Sequence, residues 1–194
     1  MKKALIGYGG HAREVMAQMK ITLPCFVDDK YLQGNTLPLS KFNPEEYAVM
    51  VAVANPKDRR EIIEKLPKST TYFTWIHPTA LVMQDVEIGE GSFVGAYSIL
   101  TTNIKIGKHA ILNRANHIGH DTVIGNYFSA MPGSIVSGNV HIGNDVYMGT
   151  NSTIIERVFI AHDIIIGANG VVINDIVSSG TYVGVPVKKI KWKI

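Results

Sequence analysis

The chain of 194 residues carries seven histidines, His11, His77, His109, His117, His120, His141 and His162, and one cysteine, Cys25. Imidazole titrates near neutral pH and can take and return a proton, so each histidine is a candidate acid or base. His120 stands out because Asp121 follows it within Gly-His-Asp-Thr-Val-Ile-Gly at 119–125. A second group lies at the start, where Gly7-Tyr8-Gly9-Gly10-His11-Ala12 satisfies Gly-x-Gly-x-x-Ala. Glycines there let phosphates approach the backbone, and a following helix N-terminus favours anions. Asp28 lies 21 residues beyond Gly7, where the acidic residue of an NAD site is sought. The motif points to a nucleotide-diphosphate cradle more firmly than to NAD, because the segment containing it is half a dinucleotide-binding fold.

The elements that must position these groups fall into two halves. Up to about residue 75 the sequence alternates strands and helices. Lys3–Ile6, Cys25–Val27, Ala48–Ala54 and Thr71–Ile76 read as strands, and His11–Lys20 and Asp58–Leu66 as helices. This order predicts a parallel sheet. From Ile76 the period changes to six. Ile76, Val82, Ile88, Val94, Leu100, Ile106, Leu112, Ile118, Ile124, Ala130, Val136, Ile142, Met148, Ile154, Ile160, Ile166 and Val172 follow one another without an insertion. Glycine follows the anchor at 89, 95, 107, 119, 125, 143, 149 and 167.

A period of six fits neither a helix nor a two-sided strand. It predicts a parallel β-solenoid of triangular coils, 18 residues each, with aliphatic anchors filling an interior too narrow for large aromatics. Glycine is expected at the corners, where unusual backbone angles arise. The last five histidines occupy non-anchor positions and should face outward or into a cleft. One coil above His120 is Gly138. At the roughly 4.8 Å strand spacing, a bare glycine there leaves room for a substrate. It also leaves a peptide N–H to meet a developing oxyanion. A base beside such a donor suits acyl transfer from a thioester.

Over about residues 76–187 the solenoid resembles the hexapeptide-repeat acyltransferases, which implies a left-handed β-helix. The whole chain is similar to the sialic-acid O-acetyltransferases and bacterial nucleotide-amino-sugar N-acetyltransferases. That resemblance rests on Gly-Tyr-Gly-Gly-His at 7–11, Val-Asp-Asp at 27–29, Ile-His-Pro at 76–78, the 119–125 segment and Gly-Val-Pro-Val-Lys at 184–188. It implies a Rossmann-like sugar-nucleotide domain over 1–75 and a left-handed β-helix over 76–194 that holds acetyl-CoA. It makes His120 the general base, Asp121 the acid that raises its basicity, and the Gly138 amide the oxyanion donor. Ser129, Thr150 and Ala168 become acetyl-CoA contacts. Gly9, Gly10 and His11 become phosphate and sugar contacts, Asp28 and Asp29 contacts to the base end, and Ala54 a further contact. The implied reaction is acetyl transfer to the amine of a UDP- or dTDP-linked 4-amino-dideoxy sugar, without a metal, by a homotrimer with sites between subunits. Two positions depart from the family pattern. Ser129 replaces a frequent second histidine, and Gly119 a frequent glutamate. They keep O-acetylation of a sialic-acid-like sugar open as the alternative.

Other readings are weaker. His117, His120 and His141 are available to a metal. Their spacing, however, does not match the interchain zinc ligands of γ-class carbonic anhydrases. A scaffold that answers to NAD through the glycine loop alone is the competing non-enzymatic reading. A hydrophobic content of 46% with 18% charged residues argues against disorder. No apolar run nears the roughly 18 residues of a spanning helix, and Met1–Gly10 lacks the apolar core of a secretory leader. Membrane insertion is therefore not expected, the cytoplasm is, and one cysteine suits it. A net charge of +3 is too small for a nucleic-acid footprint. Lys188, Lys189, Lys191 and Lys193 around Trp192 read as a solvated tail, with proximity to the 3′-phosphate of CoA as a second reading.

Overall fold

The structure, a computed structural model, describes residues 1–191. Two apolar strands, β1 (Lys2–Ile6) and β2 (Cys25–Val27), flank helix α1 (Gly10–Met19). A short β3 (Leu37–Pro38) follows, then β4 (Tyr47–Val51), helix α2 (Pro56–Lys65) and β5 (Thr71–Tyr72). All strands pair in parallel, in the order β3-β2-β1-β4-β5. The order reverses between β1 and β4, and at such a switch point the loops after the strands open a crevice for a ligand. Helix α2 starts where Asn55 accepts from the Asp58 N–H and Pro56 fills the first turn.

The expected strand Thr71–Ile76 is two elements. Tyr72 pairs with Val49 of β4, whereas Trp75–Ile76 pairs with Phe93–Val94 of the solenoid. The break has a packing cause. Phe73 is buried with the N-terminal core, while Trp75 stacks on Phe93 at 5.4 Å between ring centroids.

Beyond Trp75 the chain climbs in coils of three short strands, and each strand pairs in parallel with the residue 18 positions on, as Ile111 does with Ser129 and His117 with Ile135. Three sheets form the walls of a prism. The first wall carries Phe93, Ile111 and Ser129, the second Ile99, His117 and Ile135, the third Lys105, Val123 and His141. Every anchor from Val94 to Val172 is buried in one continuous core. Ile76 is exposed because it lies at the open end of the prism. A hairpin, Gly180–Gly184 with Val187–Ile190, closes the other end.

Two expectations about the prism are corrected. Phe128 is wholly inside it. Its register neighbours Ala110 and Val146, and the adjacent anchor Ala130, are small enough to leave space for the ring. The glycines after the anchors are also not the strained corners. Left-handed backbone recurs every six residues at other positions, among them Asp85, Asn103, Asp121, Asn139, Asp145, Asn151, Asp163 and Asn169. Asn and Asp tolerate this conformation better than most side chains. Glycine is needed after the anchor because successive coils touch there. A Cβ on Gly149 would lie 2.5 Å from Ala168 N and 2.8 Å from the Gly167 carbonyl carbon.

The N-terminal domain sits on the first wall. Phe93 and Ile111 point outward from the prism and complete the core of that domain with Leu5, Val15 and Met50. Each is essentially fully buried and contributes roughly 2–3 kcal/mol. Gln18 accepts from the Ala96 N–H at 2.9 Å across the same seam.

Candidate active site

His120 and Asp121 occupy the edge between the second and third walls. His120 Nδ1 lies 2.6 Å from Asp121 Oδ2, and Asp121 Oδ1 accepts from Asn103 Nδ2 at 2.7 Å. The hydrogen bond from His120, then that from Asn103, holds the Asp121 carboxyl below its usual range. An ionised Asp121 accepts Nδ1–H, which leaves the Nε2 lone pair free. Nε2 faces Gly138, on which a Cβ would lie only 2.7 Å away. Among the described residues the Gly138 N–H donates to no protein group, although its carbonyl accepts from Arg157. A proton acceptor and an unpartnered amide donor thus share one exposed edge.

The glycine loop after β1 builds a second feature. Gly7 has φ +101°, and Gly9 caps α1 with extended backbone and no side-chain hydrogen bond. No atom lies within 4 Å of a Cβ built on Gly9 or Gly10. The first turn of α1 carries no acidic residue, and the N–H groups of a helix N-terminus favour negative charge. Gly10, His11 and Ala54 line a cleft of about 640 Å³ with Arg13, Glu14 and the solenoid residues Asn113 and Met131. The His11 side chain is 8% exposed; Glu14 Oε2 lies 3.9 Å from Nδ1, and among the described residues neither ring nitrogen has a hydrogen-bond partner. Burial, then the charge of Arg59, lowers its pKa to about 4, so the ring is neutral at pH 7. Burial raises the Glu14 carboxyl, but hydrogen bonds from Asn113 and Arg114 outweigh it and leave it net lowered.

Asp28 and Asp29 are exposed at the end of β2, where Asp28 Oδ1 accepts from the Lys30 N–H. Thr150 and Ala168 are exposed one coil apart on the edge between the first and second walls, which also carries Asn113 and Met131. Ser129 is different. It is fully buried, and its Oγ donates to the Ala54 carbonyl at 2.7 Å and accepts from Arg59 Nη2 at 2.9 Å. Its hydroxyl ties the two domains and is not available to a ligand.

Of the outer histidines, His109 is neither exposed nor in a cleft. It is buried at the domain seam, stacked on Tyr127 and edge-on to Tyr72. The position is outward from the prism, but the N-terminal domain covers it. Burial, then Arg59, lowers its pKa to about 4. Among the described residues no group of three or more His, Cys, Asp or Glu is placed to hold a metal, and His117 and His141 stand on different walls. No helix there is long and apolar enough to cross a membrane. Lys189 donates to Ser178, while Trp192 and Lys193 lie outside the described residues.

Sequence reasoning missed Glu14, Asn113 and Arg59. Asn113 had a signal. In the column Gly95, Asn113, Met131, Gly149, Gly167, side chains replace glycine only where the cleft lies. Arg59 had none, since a helix arginine usually faces water.

Residues 2–66 match the family model described as the PglD N-terminal domain. The chain is 32% identical over 101 residues to the GDP-perosamine N-acetyltransferase of Escherichia coli O157:H7. That match covers 52% of this chain and spans less than half, 46%, of the relative's length. A mutant of perosamine N-acetyltransferase from Caulobacter crescentus, solved with CoA and GDP-perosamine, superposes with TM-score 0.87. It is 27% identical, with 98% of this chain and 97% of that one covered. WeeI from Acinetobacter baumannii AYE gives TM-score 0.87 at 28% identity, covering 98% and 100%. The six-residue repeat, the triangular prism and the α/β domain seated on its first wall agree with this likeness over the whole chain. Residues 2–66 thus match a PglD-type N-terminal domain, and nearly the whole chain is similar in fold to these solved proteins.

Proposed function

We propose that this protein moves the acetyl group of acetyl-CoA to the amine of a nucleotide-linked 4-amino-dideoxy sugar. The observation that carries the reading is the open Nε2 of His120 facing the unpartnered Gly138 N–H. The amine nitrogen attacks the thioester carbonyl carbon, and the carbonyl electrons move to oxygen, where the Gly138 N–H meets the charge. His120 takes the amine proton at Nε2, and Asp121 steadies the imidazolium through Nδ1. Collapse of the adduct breaks the C–S bond, and the departing CoA sulfur receives the proton from His120. No metal enters these steps.

Gly9, Gly10, His11 and Ala54 hold the phosphates and sugar, Asp28 and Asp29 the base end, and Thr150 and Ala168 the acetyl-CoA. Met131, Thr150 and Ala168 succeed one another along one edge of the prism, which makes the sugar cleft and the acetyl-CoA contacts contiguous. His120 lies on the edge opposite the wall that carries the N-terminal domain. One chain therefore cannot bring its own base to its own cleft. A homotrimer in which each prism offers its His120 edge to a neighbour's cleft meets the need.

The resemblance suggests UDP or dTDP as the nucleotide, whereas the relatives' names specify GDP-perosamine. Mass spectrometry of GDP-, UDP- and dTDP-linked 4-amino sugars incubated with acetyl-CoA tests the proposal and names the base. A gain of one acetyl group on an amino sugar is expected. Acetylation only of a sialic-acid-like acceptor would select the O-transfer alternative, which the serine at 129 and glycine at 119 keep open. Thermal stabilisation by NAD, with none from nucleoside diphosphates or CoA, would overturn both.

A further inference from the structure

Arg59 is fully buried, yet its guanidinium forms no salt bridge among the described residues. The charge on α2 nearest the solenoid's Asp145 is instead that of Arg60, which bonds its carboxylate. Burying an unpaired cation is costly unless every donor finds an acceptor. Arg59 meets that condition from both sides of the seam. Nη1 donates to the carbonyls of Val53 at 2.6 Å and Ala54 at 3.1 Å, in the loop after β4. Nε donates to the His109 carbonyl at 2.9 Å. Nη2 donates to the carbonyls of Tyr127 at 2.7 Å and Phe128 at 3.0 Å and to Ser129 Oγ at 2.9 Å. Ser129 closes the ring by donating to Ala54.

The loop held this way is one bank of the cleft, because Ala54 lines it opposite Asn113 and Met131. We propose that Arg59 is a positioning residue that sets the width of the sugar-nucleotide cleft by fixing the Val53–Ala54 carbonyls against the coil at 127–129. The inference rests on the reading of that cleft as the sugar-nucleotide site. A planar fork with five donors spans the seam in one geometry, which a lysine with its single point charge cannot reproduce. Loosening the fork shifts one bank of the cleft. It leaves the exposed edge at Thr150 and Ala168, built wholly from the solenoid, in place.

The test separates positioning from folding. A merely structural loss lowers the active fraction, hence kcat, and leaves both KM values alone. For Arg59→Met we expect KM for the nucleotide-linked amino sugar to rise at least tenfold, with KM for acetyl-CoA within twofold of wild type. Arg59→Lys should lie between. Unchanged KM for the sugar nucleotide in folded Arg59→Met overturns the inference. Should that variant fail to fold, Arg59→Lys and Ser129→Ala carry the test, each with a severalfold rise in sugar-nucleotide KM. A rise confined to acetyl-CoA in Ser129→Ala overturns the inference as well. If the wild type acetylates no nucleotide-linked amino sugar, the proposed function fails separately. Calorimetry with GDP, UDP and dTDP then decides Arg59: weaker binding by Arg59→Lys supports it, and equal binding, or none by the wild type, overturns it.

Discussion

The bond between His120 Nδ1 and Asp121 Oδ2 fixes which ring nitrogen faces the substrate, so the two residues fail in different ways. His120→Ala removes the proton acceptor. Turnover should drop about 10²- to 10⁴-fold, the usual contribution of general base catalysis, while acetyl-CoA still binds in calorimetry. Asp121→Asn keeps the ring in place and should give a smaller loss. Unchanged turnover of folded His120→Ala would remove the assigned base. The pair and its glycine were legible in the sequence because an 18-residue coil turns spacing into stacking. Asn103, one coil below Asp121, follows from the same arithmetic, but an asparagine equally suits a left-handed corner and so does not mark itself as a partner. Ser129 is marked only by its position in a family pattern, whereas its hydroxyl is committed to Arg59 and Ala54, a contact between distant segments that no local pattern encodes.

At the level of elements, the six-residue period was enough to define the walls and the core, whereas the cause of the glycines was not. Composition shows that glycine recurs, but only the coil-to-coil distance shows that it recurs for contact rather than for backbone freedom. That distinction is measurable. Gly149→Ala would press a Cβ onto backbone atoms of the next coil at 2.5 and 2.8 Å, which can yield only by shifting the coil. Overpacking of this kind costs about 1–3 kcal/mol, and a thermal melt should fall by several degrees. Gly10→Ala meets nothing within 4 Å and sits at the first position of α1, where alanine is a good helix former. Its melting temperature should hold or rise slightly while nucleotide binding weakens, because the methyl group occupies the space proposed for phosphate. Equal destabilisation of the two variants would contradict this division of roles.

The whole molecule is two folds joined at one seam, and the seam carries a pH dependence that neither fold has alone. His11 sits edge-on to Phe93 and His109 stacks on Tyr127, each covered by the opposite domain. Burial, reinforced by Arg59, places both folded pKa values at about 4, against the ordinary imidazole value of 6.5 that applies once the chain unfolds. Above pH 6.5 both states hold these rings neutral and the histidines do not affect stability. As pH falls from 6.5 to 4 the unfolded chain takes up protons that the native seam refuses, so stability drops through that window and levels off below it. The limit is about 3 kcal/mol for each ring. The lowered carboxyl of Glu14 also loses stabilisation in acid, but at and below its ordinary value of 4.5, which leaves the upper part of the window to the histidines. Urea midpoints measured from pH 7 to pH 4.5 should therefore fall steadily. His109→Phe keeps an aromatic ring against Tyr72 and Tyr127 but cannot be protonated. Whatever it does to the midpoint at pH 7, it should remove about half of the slope. A slope unchanged by that substitution would move the acid sensitivity away from the seam and onto the exposed carboxylates.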